Sequence, residues 1–260
     1  MGLEKSDHAP LAMTQLQVPP RLSRFVRWVR VYPDLTAQSV TEPYRRLPDG
    51  ELELSVRFGG SECSASVIGT RTRLLEKPAA NSASSLLVRF RPAGAYPFFG
   101  RPLSALTDQV VPLEELWRSE ARLPLTAAGG SAVVANALSS LQSVLERGDA
   151  YDPALARSVR RAVQRIAAAP VLPRVPELAA ELGLSERQLR RGFDRVIGLS
   201  PKHYLRVVRF RRALHEARSS HRRDWAAIAE RTGYYDQAHL IADFREMAGM
   251  TPSALLGLRR

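Results

Sequence analysis

The amino-acid sequence predicts an α+β chain: a small N-terminal β-sheet or barrel-like domain with short helices, then an all-α region in which a linker helix joins two helix-turn-helix units. Three observations carry this expectation. One pattern occurs twice near the C-terminus, as Ala179, Gly183, Leu189, Phe193, Gly198, Pro201 and again as Ala229, Gly233, Leu240, Phe244, Gly249, Pro252. Alternating and β-branched segments fall in the first half, at 51–58, 64–68 and 85–90. Charge divides the same way: residues 1–150 hold 17 Lys and Arg against 15 Asp and Glu, whereas residues 151–260 hold 21 against 11.

Residues 1–18 lack periodicity and read as a disordered leader. The arginine-rich run that follows, with Phe25, Trp28 and Val29, fits either a short helix or a first strand. Pro-Asp-Gly, Gly59-Gly60 and residues 78–81 separate the strand segments that come next. Beyond Arg91-Pro92, Leu103, Leu106, Val110, Val111, Leu113, Leu116 and Trp117 suggest short helices, and Pro97 interrupts an expected one. Gly129-Gly130 opens a helix bearing Val133, Val134, Leu138, Leu141, Val144 and Leu145, which packs on the N-terminal domain or on a second subunit. Asp152 and Pro153 start another helix, ended by Pro170. The division is therefore a leader at 1–18, a sensor or interaction domain at 19–125, a connecting helix at 126–150 and the repeat domain at 151–260.

In the repeat, Ala to Gly, Leu to Phe, Phe to Gly and Gly to Pro keep the same intervals of four, four, five and three residues. A small Ala lets a second helix cross closely, Gly supplies the positive φ of a sharp turn, and Leu and Phe one turn apart give an inward stripe. Ser185 with Gln188 forms a capping box, and Asp236 caps the second copy's helix. The single extra residue of the second copy falls in its turn, where insertions are tolerated. Between the copies, residues 201–218 are apolar on more than one face, so this helix is buried on two sides and acts as a rigid spacer.

The residues LAAELGLSERQLRRGFDRVIGLSP from Leu178 and IAERTGYYDQAHLIADFREMAGMTPSALL from Ile228 resemble the DNA-binding domain of AraC/XylS-family transcription regulators. The span from LPDGELELSVRF through VIGTRTRLL and LLVRFRPAGAYPFFG to ALTDQVVPLEELW is similar to the N-terminal domain of one AraC-like branch. The resemblance implies a sequence-specific DNA-binding transcription regulator whose two recognition helices enter the major groove, about 34 Å apart on one side of the duplex. Double-stranded DNA is the expected partner; RNA polymerase, a small-molecule effector and a homodimer mate are further candidates for the N-terminal domain. The competing class is a non-specific architectural DNA binder, which needs the same charge without sequence preference.

With Leu189, Phe193 and Val196 or Ile197 inward, Glu186, Arg187, Arg190, Arg191 and Asp194 point outward, and by resemblance Arg187, Arg190 and Arg191 match base readers. Arginine suits guanine edges. In the second copy Gln237, Ala238, His239 and Ile241 are the base-facing candidates; Ala242 departs from the basic residue common in the family. Phosphate contacts are expected from Lys202, Arg206, Arg222, Arg223 and Arg245, with Arg209 and Arg211 beside them, Arg209 being the one to pair with an acidic partner between the units. Trp225 and Ile228 read as core, and Tyr234 and Tyr235 as core and turn packing.

Enzyme chemistry has little support. The five histidines at 8, 203, 215, 221 and 239 show no metal spacing, a single Cys63 reads as buried, and no cofactor motif occurs. Glu51 and Glu53 read as a solvated face rather than an acid and base. The aromatic residues Tyr44, Phe58, Phe90, Tyr96, Phe98, Phe99 and Trp117 suit either core or a small apolar pocket. With neither a signal peptide nor a long apolar run, a cytoplasmic location without membrane contact is expected.

Overall fold

The computed structural model describes residues 13–33, 43–59, 62–77, 83–117, 130–147, 152–220 and 224–258. Its N-terminal half is built on one antiparallel sheet. The strands are β1 (Thr14–Leu16), β2 (Val26–Tyr32), β4 (Glu53–Gly59), β5 (Glu62–Ile68), β7 (Ser84–Phe90) and β8 (Val110–Pro112), in the order β1-β2-β7-β4-β5-β8. A separate ribbon pairs β3 (Tyr44–Arg46) with β6 (Leu75–Lys77). Two short helices, α1 (Tyr96–Phe99) and α2 (Leu113–Leu116), bury their apolar side chains in the core.

Several expectations need correction. Thr14–Leu16, inside the supposed leader, adds a strand to the open edge of β2, where its backbone groups find partners. Of the two alternatives for the arginine-rich run, the strand holds: a 3-10 turn at Pro20–Leu22 leads into β2. Arginine is tolerated there because the Arg30 guanidinium lies 4.1 Å from the Trp28 ring centroid and its Nε donates to Gln15 Oε1 at 3.2 Å. Val110 and Val111, expected in a helix, form β8 because the edge of β5 is free to pair with them. Pro97 sits in the first turn of α1, where a missing N–H costs nothing. Cys63 is half-buried, and burial pushes its thiol up.

Glu51 and Glu53 are not a solvated face. Both are buried, Glu53 completely, and they belong to an ionic cluster inside the β-domain. Arg89 reaches Glu53 Oε2 at 2.8 Å and also pairs with Asp49, Arg27 Nε donates to Glu51 at 2.7 Å, and the Tyr44 hydroxyl donates to Glu53 at 2.8 Å. Arg46 donates to Asp49 and to the carbonyl of Ile68 at 3.2 Å each. Burial alone would push the Asp49 carboxyl up; the Arg46 and Arg89 guanidiniums overturn this and hold it well below the usual carboxylate range. The alternation that suggests a solvated strand face cannot distinguish water from buried arginines.

The aromatic residues are packed against one another. Phe98 meets Phe25 edge-on at 5.5 Å and Phe90 at 5.1 Å, Phe99 meets Phe90 at 5.8 Å, and Trp117 Nε1 donates to the Phe98 carbonyl at 2.7 Å. The helix α3 (Gly130–Arg147) lays Val133, Ala137 and Leu141 on this domain, with Gly130 beside the Phe58 ring.

The C-terminal half is helical: α4 (Pro153–Ala168), α5 (Val175–Glu181), α6 (Glu186–Val196), α7 (Pro201–Ser219), α8 (Trp225–Thr232), α9 (Gln237–Ala248) and α10 (Pro252–Gly257). Asp152 caps α4 by accepting from Ala154 N and Leu155 N. At its other end Arg212, on α7, donates to the carbonyls of Ile166, Ala169 and Pro170 at 3.0, 2.7 and 3.1 Å. Gly192 lets α6 pass close to α4: a Cβ there would lie 2.8 Å from Val159. α7 buries Tyr204, Leu205, Val207, Phe210, Ala213, Leu214 and Ala217, which is the two-sided burial expected of a spacer.

Removing one partner from a buried ionic cluster leaves an uncompensated charge. Arg89→Met should lower unfolding free energy by about 3–5 kcal/mol, read as a lower urea midpoint at unchanged m-value. A loss under about 1 kcal/mol would mean that water reaches Glu53.

Candidate nucleic-acid interface

Each helix-turn-helix unit is built by the same local devices. Gly183 and Gly233 take φ values of 66° and 80°, which reverse the chain after α5 and α8 without steric cost. Ser185 Oγ accepts from Gln188 N at 3.2 Å while Gln188 Oε1 accepts from Ser185 N at 2.8 Å, so the expected capping box starts α6. Asp236 accepts from His239 N at 2.7 Å and starts α9. Leu189, Phe193, Val196 and Ile197 are all buried, as are Leu240 and Phe244.

The outward faces differ in chemistry. On α6, Glu186, Arg187, Arg190, Arg191 and Asp194 are exposed. On α9, Gln237, Ala238, His239 and Ala242 are exposed, whereas Ile241 is half-buried against the core. His239 also leans edge-on against the Tyr234 ring, with centroids 5.2 Å apart. The first unit thus presents guanidiniums and the second presents an amide, an imidazole and small apolar groups.

Of the phosphate candidates, Lys202 and Arg245 are exposed, and Arg222 and Arg223 lie outside the described residues. Arg206 is placed differently. Its Nε donates to Asp243 Oδ1 at 2.8 Å and its Nη1 to Glu246 Oε1 at 2.7 Å, which ties α7 to α9. Hydrogen bonding to Glu246 outweighs burial and, with Asp243, holds the guanidinium even more firmly charged. The arginine paired between the units is therefore Arg206, not Arg209, which stands 5.3 Å from the Tyr234 ring centroid. On the helical wheel the two positions are neighbours, and only packing decides which one faces Asp243.

Tyr235 does not pack in the turn, contrary to expectation. It is 93% exposed, next to the cap of α9, while Tyr234 is buried at 5%. The cap backbone is extended, with Asp236 at φ −155° and ψ 178°. Only one ring of the adjacent pair is taken into the core.

Residues 178–257 match a family model described as a helix-turn-helix domain, and residues 14–112 match a domain of unknown function, DUF6597. No curated protein matches the chain. Solved structures of ToxT from Vibrio cholerae are similar in arrangement: one at 8% identity, covering 88% of this chain and 97% of ToxT, with TM-score 0.43. An apo variant gives 12% identity, 91% and 98% coverage and TM-score 0.43. ToxT bound to (E)-4-(8-methylnaphthalen-1-yl)but-3-enoic acid gives 9%, 88%, 96% and 0.45. Likeness of this degree carries neither a ligand nor a residue role across.

Two capped helix-turn-helix units on one buried spacer, with exposed arginines on a recognition helix, define a sequence-specific DNA-binding transcription regulator. Residues 178–257 of the chain form the helix-turn-helix domain that the family model describes. Among the described residues no helix is long and apolar enough to cross a membrane, and no group of three or more His, Cys, Asp or Glu could hold a metal.

Arg206→Ala should destabilise the chain by about 2–3 kcal/mol, because Asp243 is left buried without its cation. Salt titration of DNA binding should keep its slope; a slope reduced by about one unit would make Arg206 a phosphate contact after all.

Proposed function

We propose that the DNA-binding unit spans 151–260 and that Arg187, Arg190 and Arg191 read bases, with Lys202, Arg222, Arg223 and Arg245 on phosphates. The observation that carries this reading is the position of the three arginines: they sit in the exposed first turns of a capped α6, the end of a recognition helix that faces base edges. In the second unit Gln237 can pair bidentately with adenine, Ala238 and Ile241 can meet a thymine methyl, and His239 can donate to a base or phosphate. Tyr235 joins them as a hydroxyl donor to the backbone at the entrance of α9.

The first unit then supplies most of the electrostatic affinity, and the second supplies shape and hydrogen bonding. The three partners considered for the N-terminal domain leave different signatures. An effector changes affinity at fixed chain concentration, a second copy makes affinity depend on chain concentration, and RNA polymerase acts only when transcription is measured.

The chain should bind duplexes that it selects from a random pool at least about a thousandfold more tightly than random duplex at fixed salt. Equal affinity would leave only an architectural role. Ala at 187, 190 or 191 should relax preference at one base position at a cost of about 1–3 kcal/mol, whereas Ala at 202 or 245 should weaken all sequences alike and lower the salt slope by about one unit. Tyr235→Phe should weaken binding without moving the slope, since no charge is removed.

A further inference from the structure

One five-residue segment of the β-domain touches the far ends of both recognition helices. Residues 70–74 follow β5. The Thr70 hydroxyl, fully buried, donates to the carbonyl of Ile197 at 2.6 Å, and the Leu74 amide donates to the carbonyl of Met247 at 2.7 Å. Ile197 is the C-terminal cap of α6, and Met247 lies in the last turn of α9. A third bond runs beside them, from the Thr107 hydroxyl to the Gly198 carbonyl at 2.6 Å. The last carbonyls of a helix have no donors within it, so these bonds serve groups that burial would otherwise leave unsatisfied.

The segment is itself held firmly. Asp108 accepts from Thr72 N at 2.8 Å and lies 3.5 Å from Arg71 Nε, and its own amide donates to the Thr70 carbonyl at 2.9 Å. Neither flanking contact leaves room for adjustment. A Cβ on Gly69 would lie 1.6 Å from the Leu106 carbonyl oxygen, and one on Gly198 would lie 2.8 Å from that of Leu103. Arg73 adds positive charge near Glu246, the same carboxylate that Arg206 holds.

We propose that residues 70–74, with Thr107, act as a positioning strap: the β-domain sets where α6 and α9 lie relative to each other, and so selects the spacing between the two half-sites that the chain reads. The strap grips the C-terminal ends and leaves the N-terminal turns, where Arg187 and Gln237 stand, free to enter grooves. It rests on the DNA-binding reading above and adds to the linker helix a second, independent tie between the units. The threonines are positioning residues; they touch no DNA.

The experiment uses the full chain and duplexes it selects from a random pool, together with versions in which one base pair is inserted or removed between half-sites, a shift of about 3.4 Å and a tenth of a turn. A duplex carrying only the half-site read by α6 serves as control. The native chain should lose about tenfold or more in affinity at either altered spacing. Thr70→Val with Thr107→Val should bind the original duplex about tenfold less tightly and discriminate less among spacings, yet bind the single half-site as the native chain does. Thr70→Ser with Thr107→Ser should restore both properties.

An unchanged spacing penalty in the valine variant overturns the strap alone, and tighter binding by that variant overturns it in favour of a brake. No preference of the native chain for any duplex overturns the strap together with the DNA-binding reading. Amide exchange on the native chain needs no variant: the Leu74 N–H should remain protected when DNA is bound, and its exposure on binding would refute the strap.

Discussion

A helix that ends inside a protein must find donors for its last carbonyls. Here the first recognition helix finds the Thr70 hydroxyl, the turn after it finds the Thr107 hydroxyl, and the second recognition helix finds a backbone amide, all from a domain far away in sequence. Much of the architecture follows from this demand. The turn between α6 and α7 must be thin enough for close approach, hence Gly198 at φ 89°. Behind it the Tyr204 ring fills the space between Phe193, at 5.5 Å, and the backbone of Gly50. Burial holds the Tyr204 hydroxyl well above its ordinary range, aided by the negative charge of Glu51, so it stays neutral beside the ionic cluster. The β-domain and the helical region thus share one continuous core.

The unequal charge of the two units has a structural cause as well as a compositional one. Beside α9, Arg206 is neutralised by Asp243 and Glu246 and Arg209 is turned toward an aromatic ring, which leaves Arg245, in the last turn, as the exposed arginine of that helix. Around α6, Arg187, Arg190 and Arg191 are exposed. Ala242, exposed on α9, adds no charge there.

Much of this was legible in the residues, because the repeat combines signals that only one local geometry satisfies. Ser185 with Gln188, Asp236, Gly183 and Gly233 each fix a helix start or a turn by backbone chemistry, and each sits where the spacing put it. The strand segments were legible for the same reason. What failed involved partners distant in sequence. Nothing near Glu53 announces Arg89 as its cation, nothing near Val110 announces the free edge of β5, and the choice between Arg206 and Arg209 depends on a carboxylate on another helix. Tyr235 belongs with these: nothing in a Tyr-Tyr pair says which ring the core takes, and Tyr234 takes it while Tyr235 is 93% exposed.

The bond from the Leu74 amide to Met247 differs in kind from the threonine bonds beside it, because it is made by backbone on both sides. A threonine link is lost with a single change to any residue lacking a hydroxyl. The link at position 74 survives every side chain that fits the space, and only proline, which has no N–H to give, would cut it. Over many generations of drift the two ties between the domains are therefore exposed to different risks. One can be lost and regained through common codon changes, while the other persists under almost any residue the gene supplies.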